Sequence, residues 1–180
     1  MSYELYDQSA RSAQRALEVL TLLRRRQAIT AATIKAIHRR RRTADIALQS
    51  SFDELRRVFI TPTDREDILL LRQAAEHVAD AAEDIPLYVY RQGCQALLPD
   101  DTALLAAVTA ECQALYEALT ALPAYPRDET VLKHLASAER LHRVSGEISS
   151  SSLAYDTLMH LSGVCRSATD TLRYILLKMA

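Results

Sequence analysis

Four side chains in the first half of the chain have the types and the spacing to share a site. Arg41 and Asp45 stand four apart, as do Glu76 and Asp80, so each pair falls on one face of its helix. Carboxylates gathered in this way suit a cation, and a guanidinium among them can satisfy the same oxygens through directed hydrogen bonds. The stretch between the two pairs, FITPTDRED at 59–67, is what would bring them together. Pro62 lacks an N–H and has a fixed φ, so it is tolerated in the first turn of a helix and breaks its middle. Thr61 can cap a new helix there, or Thr63 can do so with Glu66 as a capping box; Asp64, Glu66 and Asp67 suit the positive end of its dipole. With the corner centred between Ile60 and Thr61, an antiparallel hairpin sets Asp45 level with Glu76 and Arg41 level with Asp80.

The elements that must position these residues read as helices. Apolar residues make up 49% of the 180, whereas 3 Gly and 5 Pro are too few for the turns of a many-stranded sheet, which predicts an all-α fold in one domain. Helix 1 is expected from about Tyr3 to Arg26, with Arg24, Arg25 and Arg26 near its exposed carbonyls. Helix 2, about Thr30 to Phe59, carries the stripe Ile34, Ile37, Arg41, Ala44, Leu48, Phe52, Leu55, Phe59, in which a charge occupies an apolar place and needs a partner. Helix 3, from Pro62 or Thr63 to about Gln92, has the most regular seam, Ile68, Leu71, Ala75, Val78, Ala82, Ile85 and Val89. Pro86 should kink it or end it early, and Gly93 is a plausible stop. Glu76, Asp80 and Asp84 form a second, acidic line, a pattern that usually marks a solvated face.

Pro99, Asp100 and Asp101 mark the turn to helix 4, about Thr102 to Leu122, with the aspartates placed to cap it. Helix 5 opens at Asp128, the serines 149–152 make the last corner, and helix 6 steps through Leu158, Leu161, Cys165, Ala168, Leu172, Ile175 and Met179. The chain thus reads as three helices, a turn, and three helices, with repeats at about 1–98 and 99–180. Arg41-x-x-Ala-Asp45-Ile is echoed by Arg143-x-x-Gly-Glu147-Ile.

The formal net charge of −1 gives no overall pull toward nucleic acid. The clusters Arg39, Arg40, Arg42 and Arg24 to Arg26 offer a local basic surface for an anionic membrane or an acidic protein loop, and no zinc motif, helix-turn-helix turn or stacking platform accompanies them. Three cysteines without CxxC spacing suggest neither a disulfide framework nor a cysteine zinc site, and the N-terminus lacks the basic start and apolar block of a leader, so a cytoplasmic setting is expected. Glu139-x-x-His142 has the spacing of one arm of a di-metal site, but a single copy does not make one. No Gly-rich phosphate loop or nucleophile–base pair is evident, so a non-enzymatic role is expected.

The corner FITPTDREDI resembles the FITPxDREDI signature of the PhoU-like proteins that accompany Pit-type, low-affinity phosphate transporters, and the length and helix order agree over most of the chain. The resemblance implies a PhoU-like bundle of six helices in two three-helix repeats, a cytoplasmic regulator of phosphate transport at or near the inner face of the membrane, and a Pit-type permease as partner; a homo-oligomer, such as a dimer, is expected. It also implies carboxylate motifs that in some members hold iron or zinc. On that pattern the metal candidates here are Asp45, Glu76 and Asp80. The motif's glutamate is replaced by Arg41 in the first half and by Arg143 in the second, and the last motif falls near Ser162 and Arg166, neither of them acidic. The expectation is that Arg41 stands among Asp45, Glu76 and Asp80 as an internal substitute for the cation, with Arg143 its counterpart. The competing readings are a metal-binding bundle or enzyme that holds a divalent or iron ion, and a module that binds anionic surfaces through its arginines.

Overall fold

A computed structural model describes residues 2–57 and 64–179. The 59–67 corner expected from Pro62 lies mostly outside the described residues. Six α-helices are seen among those described: α1 (Ser2–Arg24), α2 (Ala31–Arg57), α3 (Arg65–Arg91), α4 (Thr102–Ala121), α5 (Thr130–Glu147) and α6 (Tyr155–Met179). The seam of α3 is buried at every expected position from Ile68 to Val89, and that of α6 from Leu158 to Ile175. Cys165 lies in this core with its sulfur 3.1 Å from that of Cys112 on α4; hydrogen bonding to Cys112 and burial push the Cys165 thiol well above its ordinary range.

The helices pack as α1 on α3, α3 on α6, α1 on α4, and α4 on both α5 and α6, with one continuous apolar core. Ion pairs and hydrogen bonds give the directions. α1 runs antiparallel to α2, through Gln8 with Ser51 and Glu18 with Arg40. α3 runs antiparallel to α6, and Lys178 Nζ reaches Asp67 at 2.6 Å and Asp64 at 3.2 Å, tying the start of one to the end of the other. At the opposite end of the hairpin, the Ile29 N–H donates to the Gln95 carbonyl at 2.8 Å.

α2 stands apart from this core. Among its described side chains Ile37, Ser51 and Leu55 are the buried ones, while Ile34, Ala44, Leu48 and Phe52 of the expected stripe are half-buried and Phe59 lies outside the described residues. It packs chiefly on α3 and is held largely by polar contacts.

Local chemistry accounts for most of the ends. Arg26 at φ 51° and Gly93 at φ 76° close α1 and α3 in the left-handed conformation, with Gln27 N donating to Leu22 O and Cys94 N to Val89 O. Some expectations are corrected. α3 does not end early at Pro86 but runs through it to Arg91, because the buried packing around Ile85 and Leu87 outweighs one missing backbone donor. The expected caps Thr61 and Thr63 lie outside the described residues, and Asp64, which precedes α3, makes no side-chain cap. Asp101 does not cap α4 either: its carboxylate accepts from the Leu98 N–H at 3.2 Å and from the Ser152 hydroxyl, pinning the two turns together.

Candidate functional site

The acidic line on α3 is solvated only in part, with Glu76 buried, Asp80 half-buried and Asp84 exposed. Glu76, Asp80, Glu83 and Asp84 are roofed by three arginines, one from each helix of the first half: Arg15 of α1, Arg41 of α2 and Arg72 of α3 itself. Glu76, 2% exposed, is held by Arg15 Nη2 at 2.6 Å, Arg72 Nη1 at 3.1 Å and the Ser12 hydroxyl at 2.9 Å. Glu83, fully buried, lies between Arg15 Nε and Arg41 Nε, each at 2.9 Å. Arg41 also donates to the Asp80 carbonyl and, at 2.7 Å, to the Asp84 carboxylate. The Asp80 carboxylate is farther off, 3.4 Å from Arg15 and 3.7 Å from Arg41.

Arg41 is thus level with Asp80, as the hairpin alignment requires, yet two of its expected partners are corrected. Glu76 belongs to Arg15 and Arg72, and Asp45 is exposed with no ion pair among the described residues. The reason is that helical side chains lean toward their own N-terminus. Arg41 therefore reaches along antiparallel α3 toward Glu83 and Asp84, away from Asp45 and Glu76. Glu83 and Arg72 had a signal in the sequence, since both lie at helical spacing from Glu76; Arg15 had none, because nothing local says which face of α1 turns toward α3.

Burial opposes charge throughout the cluster, and the pairing decides each outcome. Burial alone would raise Glu76, but Arg15, Ser12 and Arg72 hold it below the usual carboxylate range. Burial raises Glu83 in spite of its two arginines, and burial with the nearby Glu76 raises Asp80. Burial lowers Arg72; for Arg41 the bonds to Asp84 and Glu83 overcome it and raise the pKa.

The second half answers with a different node. Ser12 and Glu76 of α1 and α3 have a counterpart in Glu111 and Ser162 of α4 and α6, with the serine and the glutamate exchanged between helices. The Ser162 hydroxyl donates to Glu111 at 2.7 Å, and His142 Nδ1 of α5 lies 3.0 Å from Glu111 and 2.9 Å from Ser162. Arg143 is exposed without an ion pair among the described residues, so it is not the counterpart of Arg41; His142 takes the inward place. Glu139 pairs with Arg173 on α6 and shares no ligand set with His142.

Burial, its largest influence, holds Glu111 above the usual carboxylate range against the bonds from Ser162 and His142. A raised carboxyl contributes stability that is complete below its unfolded value of 4.5 and is lost as pH rises through the folded value. Glu111→Gln abolishes this dependence. The stability of the wild type relative to that variant is expected to fall between acid and neutral pH. Urea unfolding across that range checks it, and a difference that grows with pH would contradict the assignment.

The carboxylates of α3 do not fit a metal. Both Glu76 oxygens, Glu83 Oε2 and Asp84 Oδ1 already receive guanidinium N–H groups, a further cation there would meet three positive charges, and among the described residues no three His, Cys, Asp or Glu form a ligand group. Arg39, Arg40 and Arg42 are exposed on α2, and of these Arg40 meets Glu18 at 3.2 Å.

No protein-family model and no curated protein sequence matches the chain. Solved structures do. A PhoU-like protein of Shewanella oneidensis MR-1 aligns over 97% of both chains with a TM-score of 0.59 at 13% identity. A second protein of that organism, described as a PhoU-like phosphate regulatory protein, aligns over 97% of this chain and 96% of its own with a TM-score of 0.56 at 12% identity. The class defined by the fold is therefore the all-α helical bundle. Within it, the chain has the PhoU-like fold over almost its whole length.

Proposed function

We propose that this chain is a non-enzymatic, PhoU-like accessory protein that regulates inorganic phosphate transport, with a Pit-type permease as its partner at the cytoplasmic face of the membrane. The observation that carries this reading is the near end-to-end likeness to a protein described as a phosphate regulator, joined to the FITPTDREDI stretch. No helix among the described residues is long and apolar enough to cross a membrane, so contact with a permease would be made from outside the bilayer. Arg39, Arg40 and Arg42 supply an exposed basic surface for it, suited to anionic headgroups or an acidic loop. The first half works without a resident metal, its carboxylates being neutralised from within.

Each arginine near an anionic leaflet contributes about 1 kcal/mol, so R39E/R40E/R42E is expected to weaken sedimentation with phosphatidylserine vesicles on the order of a hundredfold. In cells, deleting the gene should alter phosphate uptake through the permease. Wild type should restore it and the triple variant should not. Uptake indifferent to deletion would refute the regulatory role; vesicle binding indifferent to the three charges would refute the surface.

A further inference from the structure

The looseness of α2 leaves a groove of about 440 Å³ between it and α1. Five arginines are among its lining residues: Arg11 and Arg15 from α1, Arg39 and Arg40 from α2, and Arg72 from α3. No carboxylate is among its described lining residues, and most of its exposed wall is apolar, Ala44 and Ala47 contributing to it. Arg15 is fixed by Glu76 and Glu83, and buried Arg72 donates to Gln8, Ser12 and Glu76, so both form a rigid back to the groove. The front is less committed. Arg11 meets Asp7 at 2.7 Å and Arg40 meets Glu18 at 3.2 Å, both exposed pairs of little strength, while Arg39 has no ion pair among the described residues.

Carboxylates beside or behind four of the five arginines offset their charge, so an anion with more than one negative charge would meet the unpaired Arg39 and compete with the exposed, weak pairs that Asp7 and Glu18 make with Arg11 and Arg40. Guanidinium forks match phosphate oxygens two at a time, and the volume is that of a small-molecule site. Arg40 also lines an adjoining cleft of about 640 Å³ with apolar walls from Leu17, Leu22, Ile37 and Pro86. An organic group attached to the anion would have somewhere to lie.

We propose that the α1–α2 groove binds a phosphate-bearing anion with more than one negative charge, inorganic pyrophosphate and a nucleoside diphosphate being the two sources of that chemistry. The site does not depend on the transport reading, because its test uses the purified full-length chain and no permease.

Calorimetric titration with pyrophosphate and with ADP at low salt is expected to show one molecule bound per chain, weakening as salt rises. Arg11→Ala and Arg39→Ala, both at exposed positions, should each weaken binding about tenfold with the unfolding midpoint unchanged. Arg143→Ala, on the opposite half, should leave affinity as it was. Equal affinity for the two ligands would place recognition in the phosphates alone; tighter ADP would add the apolar cleft. Failure of both ligands to bind, binding indifferent to Arg11 and Arg39, or loss of binding in Arg143→Ala would overturn the proposal.

Discussion

Replacing Glu83 by alanine is expected to destabilise the bundle by about 3–5 kcal/mol, the usual result of removing one partner from a buried ion cluster. Glu83 is fully buried and is the one carboxylate touched at 2.9 Å by both Arg15 and Arg41, so its loss removes a partner from two guanidiniums of low exposure at once, leaving Arg15 to Glu76 and Arg41 to Asp84. Its pKa stands above the ordinary range because burial outweighs the two arginines, so the ionised carboxylate at this position gains little net from its partners. That balance gives the second half of the expectation. Replacing Glu83, Arg15 and Arg41 together by apolar residues of similar volume should recover most of the loss, whereas Glu83→Gln should fall between wild type and alanine. Urea unfolding of the set decides the matter. An alanine variant within about 1 kcal/mol of wild type would show that these contacts do not hold α1, α2 and α3 together.

Arg41→Glu is expected to have an effect of the same order and a diagnostic remedy. The substitution sets a further carboxylate beside Asp80, Glu83 and Asp84 and removes the cation that bonds to two of them. Without metal the variant should lose about 3–5 kcal/mol. A divalent cation should then restore stability in proportion to its binding, about 2.7 kcal/mol at a hundred times its dissociation constant. The wild type, its oxygens already occupied, should show no such gain. Measuring the unfolding midpoint with and without manganese or zinc after chelation checks both arms. Stoichiometric metal binding by the wild type, or none by the variant, would show that Arg41 does not stand in for a cation.

Much of the architecture was legible because it is written locally. The seams of α3 and α6 appear as strict three-and-four steps, and the stop at Gly93 follows from one residue's tolerance of positive φ. Pro86 did not end α3 early, because its cost is local and fixed while the burial that offsets it comes from other helices. Asp101 misled for a related reason: the competing donor, Ser152, is 51 residues away. In the site, Arg41 stood out as a charge within an apolar stripe, and its level with Asp80 followed from counting along a hairpin. Its true acidic partners did not follow, since counting gives the height of a residue and not the direction of its side chain. Arg15 was invisible for a stronger reason, as it enters from a helix outside that hairpin.

By itself, then, the order of residues determined that the chain is all helical, where the helices begin and end to within a few positions, and that a buried positive charge on α2 must meet carboxylates on α3. Tertiary packing alone decided which carboxylates those are, that α1 adds an arginine to the cluster, and that α2 stays far enough from α1 to leave a groove lined by arginines. The physical reason is reach. Periodicity and capping act within a turn or two of chain, whereas an ion pair depends on the rotation and offset of two helices, set by every apolar contact between them.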